Sequence, residues 1–195
     1  MSAVATLTVA FGSARWRTTS APRGESRPVT HPSGGLFVVD QQGRSRRLLS
    51  GVGIANTLAW SPDSQRLYFA DSWRNVIWRF RYQPEGPALC NQEVFVEGGP
   101  GVPDGSSIDA EGCLWTARWG AGCLIRYAPD GRIDRVLSVP ARQPSSCAFG
   151  GEDLQTLFVT TARHGLAKGA AGPADGRLLS LRVDVPGLPL PMFGN

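Results

Sequence analysis

Few side chains in this chain are equipped for chemistry, and they stand far apart in sequence. Cys90, Cys113, Cys123 and Cys147 have neither a CxxC spacing nor nearby His pairs, which excludes a cysteine zinc site. Ser146 and Cys147 fail as nucleophiles, because His31 and His164 lie in loop-like stretches without a partnering motif. Oxygen donors are more numerous, with 16 Asp and Glu in the chain, and two residues among them are taken up again below. Asp104, in Pro103-Asp104-Gly105, offers an anionic oxygen, and Asn56, in Ile54-Ala55-Asn56-Thr57-Leu58, a neutral carbonyl. Spacing alone leaves each open between metal ligation and a plainer role, since Asp in Pro-Asp-Gly forms turns and Asn ahead of a strand caps them. Trp60, Trp78, Trp115 and Trp119 have the faces that sugars stack on, yet strand positions make them core, with Trp119 the exception to watch.

The elements that must hold these residues repeat. Leu58-Ala59-Trp60 and Arg66-Leu67-Tyr68-Phe69-Ala70-Asp71 flank the turn Ser61-Pro62-Asp63. Ser107-Ile108-Asp109-Ala110-Glu111-Gly112 with Cys113-Leu114-Trp115-Thr116 says the same about 45 residues later, as does Cys147-Ala148-Phe149-Gly150-Gly151 with Thr156-Leu157-Phe158-Val159. Each unit is an apolar strand, a turn rich in Asp, Gly or Pro, and a Leu-aromatic strand. A third strand follows, as in the alternating Val76 to Tyr82, Cys123 to Tyr127 and Gly176 to Val183. Outer fourth strands fall at Glu93 to Val96 and Ile133 to Val139, and a hairpin, Gly35 to Asp40 with Arg46 to Leu49, precedes the set. Strand repeats of this length are propeller blades, which surround a central channel. The fold class is therefore all-β, a β-propeller of about four blades. Residues 1–33 read as irregular, with one early strand from Ala5 to Ala10, and residues 34–195 as the partial propeller.

Composition agrees. The 195 residues are 42% hydrophobic, with 24 Gly and 15 Pro, the balance of a turn-rich globule. The net charge of +4 comes from arginines crowded into the first fifty residues, with no aromatic-interleaved basic stripe. A nucleic-acid partner is not expected. Nothing is long enough to span a membrane, and Ala3 to Gly12 lacks the positive charge that opens a signal peptide. Four unpaired-looking cysteines fit a reduced, cytoplasmic protein. Arg118 and Arg163 are expected in ion pairs between blades, and Asp109 and Glu111 in a solvated turn. His164 stands in an inserted loop, His164 to Asp175, that could reach the channel mouth.

Several ordered segments closely resemble the family of senescence marker protein (regucalcin), gluconolactonase and luciferin-regenerating enzyme. They are Ile54 to Asp63, Pro103-Asp104-Gly105 with Ile108 to Gly112, Leu114 to Gly120, Ser145 to Gly151, Thr160 to Arg163, and Gly187-Leu188-Pro189 with Phe193. The resemblance implies a six-bladed propeller with one divalent cation at its centre. In the family the cation is held by a glutamate near the N-terminus, an asparagine in Asn-Gly-Leu and an aspartate in Pro-Asp-Gly. The last two carry over to Asn56 and Asp104. Both are hard or borderline donors suited to Ca²⁺ or Zn²⁺, or to Mg²⁺ or Mn²⁺.

On this resemblance the expected function is metal-dependent hydrolysis of a small sugar lactone. Asp104 would be ligand and catalytic base, and Asn56 a ligand. A calcium-binding protein without turnover is the alternative, and a non-functional remnant of the family the third reading. Two departures stand out. Thr57 replaces the glycine after the asparagine, and the segments carrying the glutamate and the family's substrate-contacting Arg and Asn have no match in residues 1–33, where Glu25 has no motif around it. The chain therefore reads as the later part of a larger ring lacking its opening blades.

Overall fold

The computed structural model describes residues 29–39, 42–83 and 89–189. The expected strand at Ala5 to Ala10, Glu25, Asp40 and Phe193 lie outside them. The described residues contain strands, turns and one short 3-10 turn, Ser72–Arg74, but no α-helix. They form four antiparallel sheets in sequence order. The first pairs β1 (Gly34–Val39) with β2 (Ser45–Val52). The second is a meander of β3 (Ala55–Trp60), β4 (Arg66–Asp71), β5 (Val76–Tyr82) and β6 (Leu89–Glu97). The third repeats it with β7 (Val102–Ile108), β8 (Leu114–Trp119), β9 (Cys123–Tyr127) and β10 (Ile133–Ser138). The last has β11 (Pro144–Gly150), β12 (Thr156–Thr161) and β13 (Leu178–Arg182).

Packing follows from the two-residue period of a strand. Along β4, Leu67 and Phe69 point back to Leu36 and Val52 of the first sheet, while Tyr68 and Ala70 point forward to Ile108, Leu114, Ile125 and Tyr127 of the third. The third sheet splits the same way: Cys123, Ile125 and Tyr127 face the second sheet, and Leu124 with Trp115 faces Leu157 and Val159 of the last. A middle blade is thus buried on both faces, which explains why its strands are nearly continuous apolar runs. The sheets stack face to face as blades, and β3, β7 and β11 run side by side as their inner strands. The four described sheets do not close into a ring.

Aspartates anchor the turns. Asp109, expected to be solvated, is fully buried. Its Oδ1 accepts from the Glu111 and Cys113 N–H groups, and its Oδ2 from Trp115 Nε1 and Arg126 Nε. Arg126 also reaches Glu111 and Asp134, forming a cluster of one cation and three carboxylates whose buried members are Arg126 and Asp109. A carboxylate with four donors can be buried where a bare one cannot. Arg118 departs from expectation too. It is fully buried and pairs with no acid in its immediate shell, donating instead to the Pro100, Gly98 and Gly101 carbonyls and to Asn75 Oδ1. It still ties the second blade to the third, but through neutral acceptors. Arg163 donates to the Asp175 carbonyl within its own blade's loop.

Candidate active site

Each inner strand carries an irregularity at the same level. Register shifts fall between Asn56 and Leu58 in β3, between Pro103 and Ser106 in β7, and between Pro144 and Ser146 in β11. Bulges re-aim side chains and cluster beside active sites. Asn56 and Asp104 both sit on them. Asp104 is therefore no turn former: β7 begins at Val102 and takes the whole Pro-Asp-Gly into the strand. Proline and glycine are tolerated there because the bulge interrupts the ladder.

Contact between blades dictates two of these residue types. A Cβ on Gly105 would lie 2.2 Å from Ser146 Oγ and 2.9 Å from Ser146 Cα, so β7 and β11 meet where any side chain would wedge them apart. Thr57 takes the left-handed conformation, φ 37°, that a glycine would occupy without strain. Its hydroxyl offsets that strain. Thr57 Oγ1 donates to the Asp104 carbonyl at 2.6 Å and lies 2.8 Å from Ser106 Oγ, which in turn bonds Thr116 Oγ1 at 3.0 Å.

Asn56 is held by its neighbours. Its Nδ2 donates to Ser72 Oγ at 2.8 Å, and Ser72 Oγ donates onward to the Pro103 carbonyl. Ser72 is 4% exposed, on the 3-10 turn whose start is clamped by the buried Asp71 through the Gly53, Ile54 and Trp73 N–H groups. With its nitrogen engaged, Asn56 keeps Oδ1 for a ligand. Ser72 and Thr57 were invisible as site residues in sequence. The one available signal was the substitution of Thr for Gly after Asn56.

Electrostatics set Asp104 apart. Burial pushes its carboxyl up to about 7 against a single opposing contact, the Gly105 N–H, and no cationic side chain among the described residues counters it. A partly buried carboxylate without a positive partner is what a bound cation would satisfy. The donors present, one carboxylate and one amide carbonyl, fit a hard divalent ion. Among the described residues no group of three or more His, Cys, Asp or Glu side chains converges.

The remaining candidates fall elsewhere. Trp115 is buried with its indole N–H on Asp109, Trp60 packs edge-on against Tyr82, and Trp78 stacks near Phe69. Trp119 is half-buried at the end of β8, and His164 is exposed in the loop after β12. All four cysteines are free, and burial pushes the Cys113 thiol up to about 11 and the Cys147 thiol up to about 12, levels at which neither is a nucleophile.

Stacked antiparallel blades around bulged inner strands define a propeller-type protein. The model of the SMP-30/Gluconolactonase/LRE-like region matches residues 11–163, and the chain belongs to that family. The match takes in residues 11–33, ahead of the first segment, at Ile54, on which the resemblance was drawn. The chain is 34% identical over 173 residues to the 6-deoxy-6-sulfogluconolactonase of Pseudomonas putida, covering 87% of this chain and 60% of that protein. It is 37% identical over 171 residues to the pentonolactonase of Haloferax volcanii, covering 83% and 58%. Its fold matches the crystal structure of a calcium-binding protein, regucalcin, from Agrobacterium tumefaciens with a TM-score of 0.80 at 34% identity, over 86% of this chain and 58% of the other. The chain thus spans about 60% of the length of the relatives it matches.

Proposed function

We propose that this protein is a metal-dependent hydrolase of sugar lactones. Asn56 and Asp104 would hold the cation, and Asp104 would serve as base. What supports the proposal is that Asn56 and Asp104 stand on bulges of adjacent inner strands, that the Asn56 nitrogen is engaged by Ser72, and that burial, with no cationic partner among the described residues, raises the Asp104 carboxyl. Relatives named as sugar lactonases support the substrate class. When bound, a divalent cation supplies polarisation of the lactone carbonyl and acidification of a water. Asp104 would take the proton from the water that adds to the carbonyl carbon, and the ring C–O bond would then break to give an acid and an alcohol. Oxygen donors favour Ca²⁺, Mg²⁺ or Mn²⁺, with Zn²⁺ as the borderline case. We place the reaction in the cytoplasm, where four free cysteines stay reduced.

The test is a pH-indicator assay on gluconolactone and pentonolactones with added Ca²⁺, Mn²⁺ or Zn²⁺. Asp104→Ala is expected to lower turnover by about 100-fold or more, the range of a lost general base. Unchanged turnover in that variant overturns the proposal. The regucalcin match supports a second reading, a cation-binding protein without turnover. Thermal stabilisation by Ca²⁺ with no lactone hydrolysis would select it.

A further inference from the structure

We propose that Ser72 is a positioning residue that locks the Asn56 amide so that its oxygen, not its nitrogen, meets the cation. The inference rests on the reading of Asn56 as a ligand. An asparagine amide has two faces of opposite chemistry: Oδ1 accepts and can ligate a cation, while Nδ2 donates and repels one. Nothing in the rotamer itself chooses between them, since a half-turn about the last bond exchanges the two. The choice is made by the neighbour.

Ser72 makes it through a proton count. Its hydroxyl has one hydrogen, and the Pro103 carbonyl, which can only accept, takes it. Toward Asn56 the Ser72 oxygen then presents lone pairs alone. Only Nδ2 can face it, and Nδ2 does, at 2.8 Å. A flipped amide would set two acceptors against each other beside Ser72, a residue that is only 4% exposed. The chain of dependence runs further. Pro103 O belongs to the peptide that enters Asp104, and Thr57 Oγ1 holds the carbonyl that leaves it. Two hydroxyls of the second blade thus pin the backbone on either side of Asp104, and one of them also orients Asn56. Both candidate ligands are indexed to the same 3-10 turn, which Asp71 clamps from beneath. Outer partners of this kind commonly change metal affinity by 10–100-fold when removed.

The test is a calorimetric titration of full-length protein with Ca²⁺ and Mn²⁺, without substrate, in four forms: wild type, Ser72→Ala, Asn56→Asp and the double variant. Aspartate has two equivalent oxygens and needs no lock. Ser72→Ala is expected to weaken binding about tenfold or more with Asn56 present and less than about twofold with Asp at position 56. Wild-type affinity in Ser72→Ala, or an equal loss in both backgrounds, overturns the inference, the latter showing a merely structural role. A metal-independent readout is the Asn56 side-chain NH₂ signal in ¹⁵N-labelled protein. One of its protons should be exchange-protected in the wild type and lose that protection in Ser72→Ala; protection that survives the substitution overturns the lock. Failure of wild type to bind any cation, with protection present and lost on substitution, sinks the metal reading and leaves the orientation device standing.

Discussion

Thr57 holds a conformation that a β-branched residue reaches only under strain, at φ 37°, and it is 2% exposed. Two terms act in opposite directions there. Glycine would remove strain of about 1–3 kcal/mol but abandon the bond to the Asp104 carbonyl. Valine would keep the strain and lose the bond, leaving that carbonyl without its donor, which costs about 1–3 kcal/mol. Thr57→Val is therefore expected to be clearly destabilised in urea unfolding, and Thr57→Gly to lie between it and the wild type. Thr57→Val as stable as wild type would show that the hydroxyl contributes nothing. The same position explains how a family site tolerates replacement of its glycine: the side chain that brings strain also brings a hydrogen bond to the neighbouring strand.

At the scale of elements, the strands and turns of one blade are tied together by polar devices set into apolar faces. Arg126 on β9 reaches the Asp109–Cys113 turn that follows β7, and it is the sole cation bonded to the fully buried Asp109. Its three acidic partners differ in exposure, from the buried Asp109 to the largely exposed Glu111. The two exposed partners can return to water, so the weight falls on Asp109. Replacing the guanidinium with an apolar chain of similar length, Arg126→Met, leaves a buried carboxylate with N–H donors but no counter-charge. Losses of about 3–5 kcal/mol follow such breaks, and chemical denaturation of the variant should show one. A second substitution, Asp109→Asn, is expected to recover part of it by removing the orphaned charge. No recovery would mean that the loss is one of packing, for instance of Arg126 over the Trp115 ring.

For the whole molecule, stability should carry the signature of its candidate site. The Asp104 carboxyl titrates at about 7 in the fold against an ordinary value of 3.8. The folded chain thus holds a proton that the unfolded chain releases, and the stability that the neutral form contributes is complete below about 4 and is lost as pH rises to about 7. Metal-free protein, kept in a chelator, should show this decline in urea midpoints between those limits. Asp104→Asn should flatten it, and a saturating cation should reverse its sense by favouring the ionised form. An unchanged slope in Asp104→Asn would place the pH dependence in another group. Among the described residues no helix is long and apolar enough to cross a membrane.

Blades, their order and most of their strands were readable in sequence, because the two-residue alternation and the Asp-Gly turns are local rules that each segment obeys on its own. The family motifs at Asn56 and Asp104 were readable for the same reason. Local rules also misled. Pro-Asp-Gly resembles a turn in isolation, and Asp109 resembles a solvated one; a bulge against β8 and a four-donor cage around a buried carboxylate are long-range facts. Tertiary structure alone decided that Ser72 meets Asn56 sixteen residues away and Thr57 meets Asp104 forty-seven away. Such pairings depend on how one blade settles against the next, and no periodicity within a strand encodes that placement.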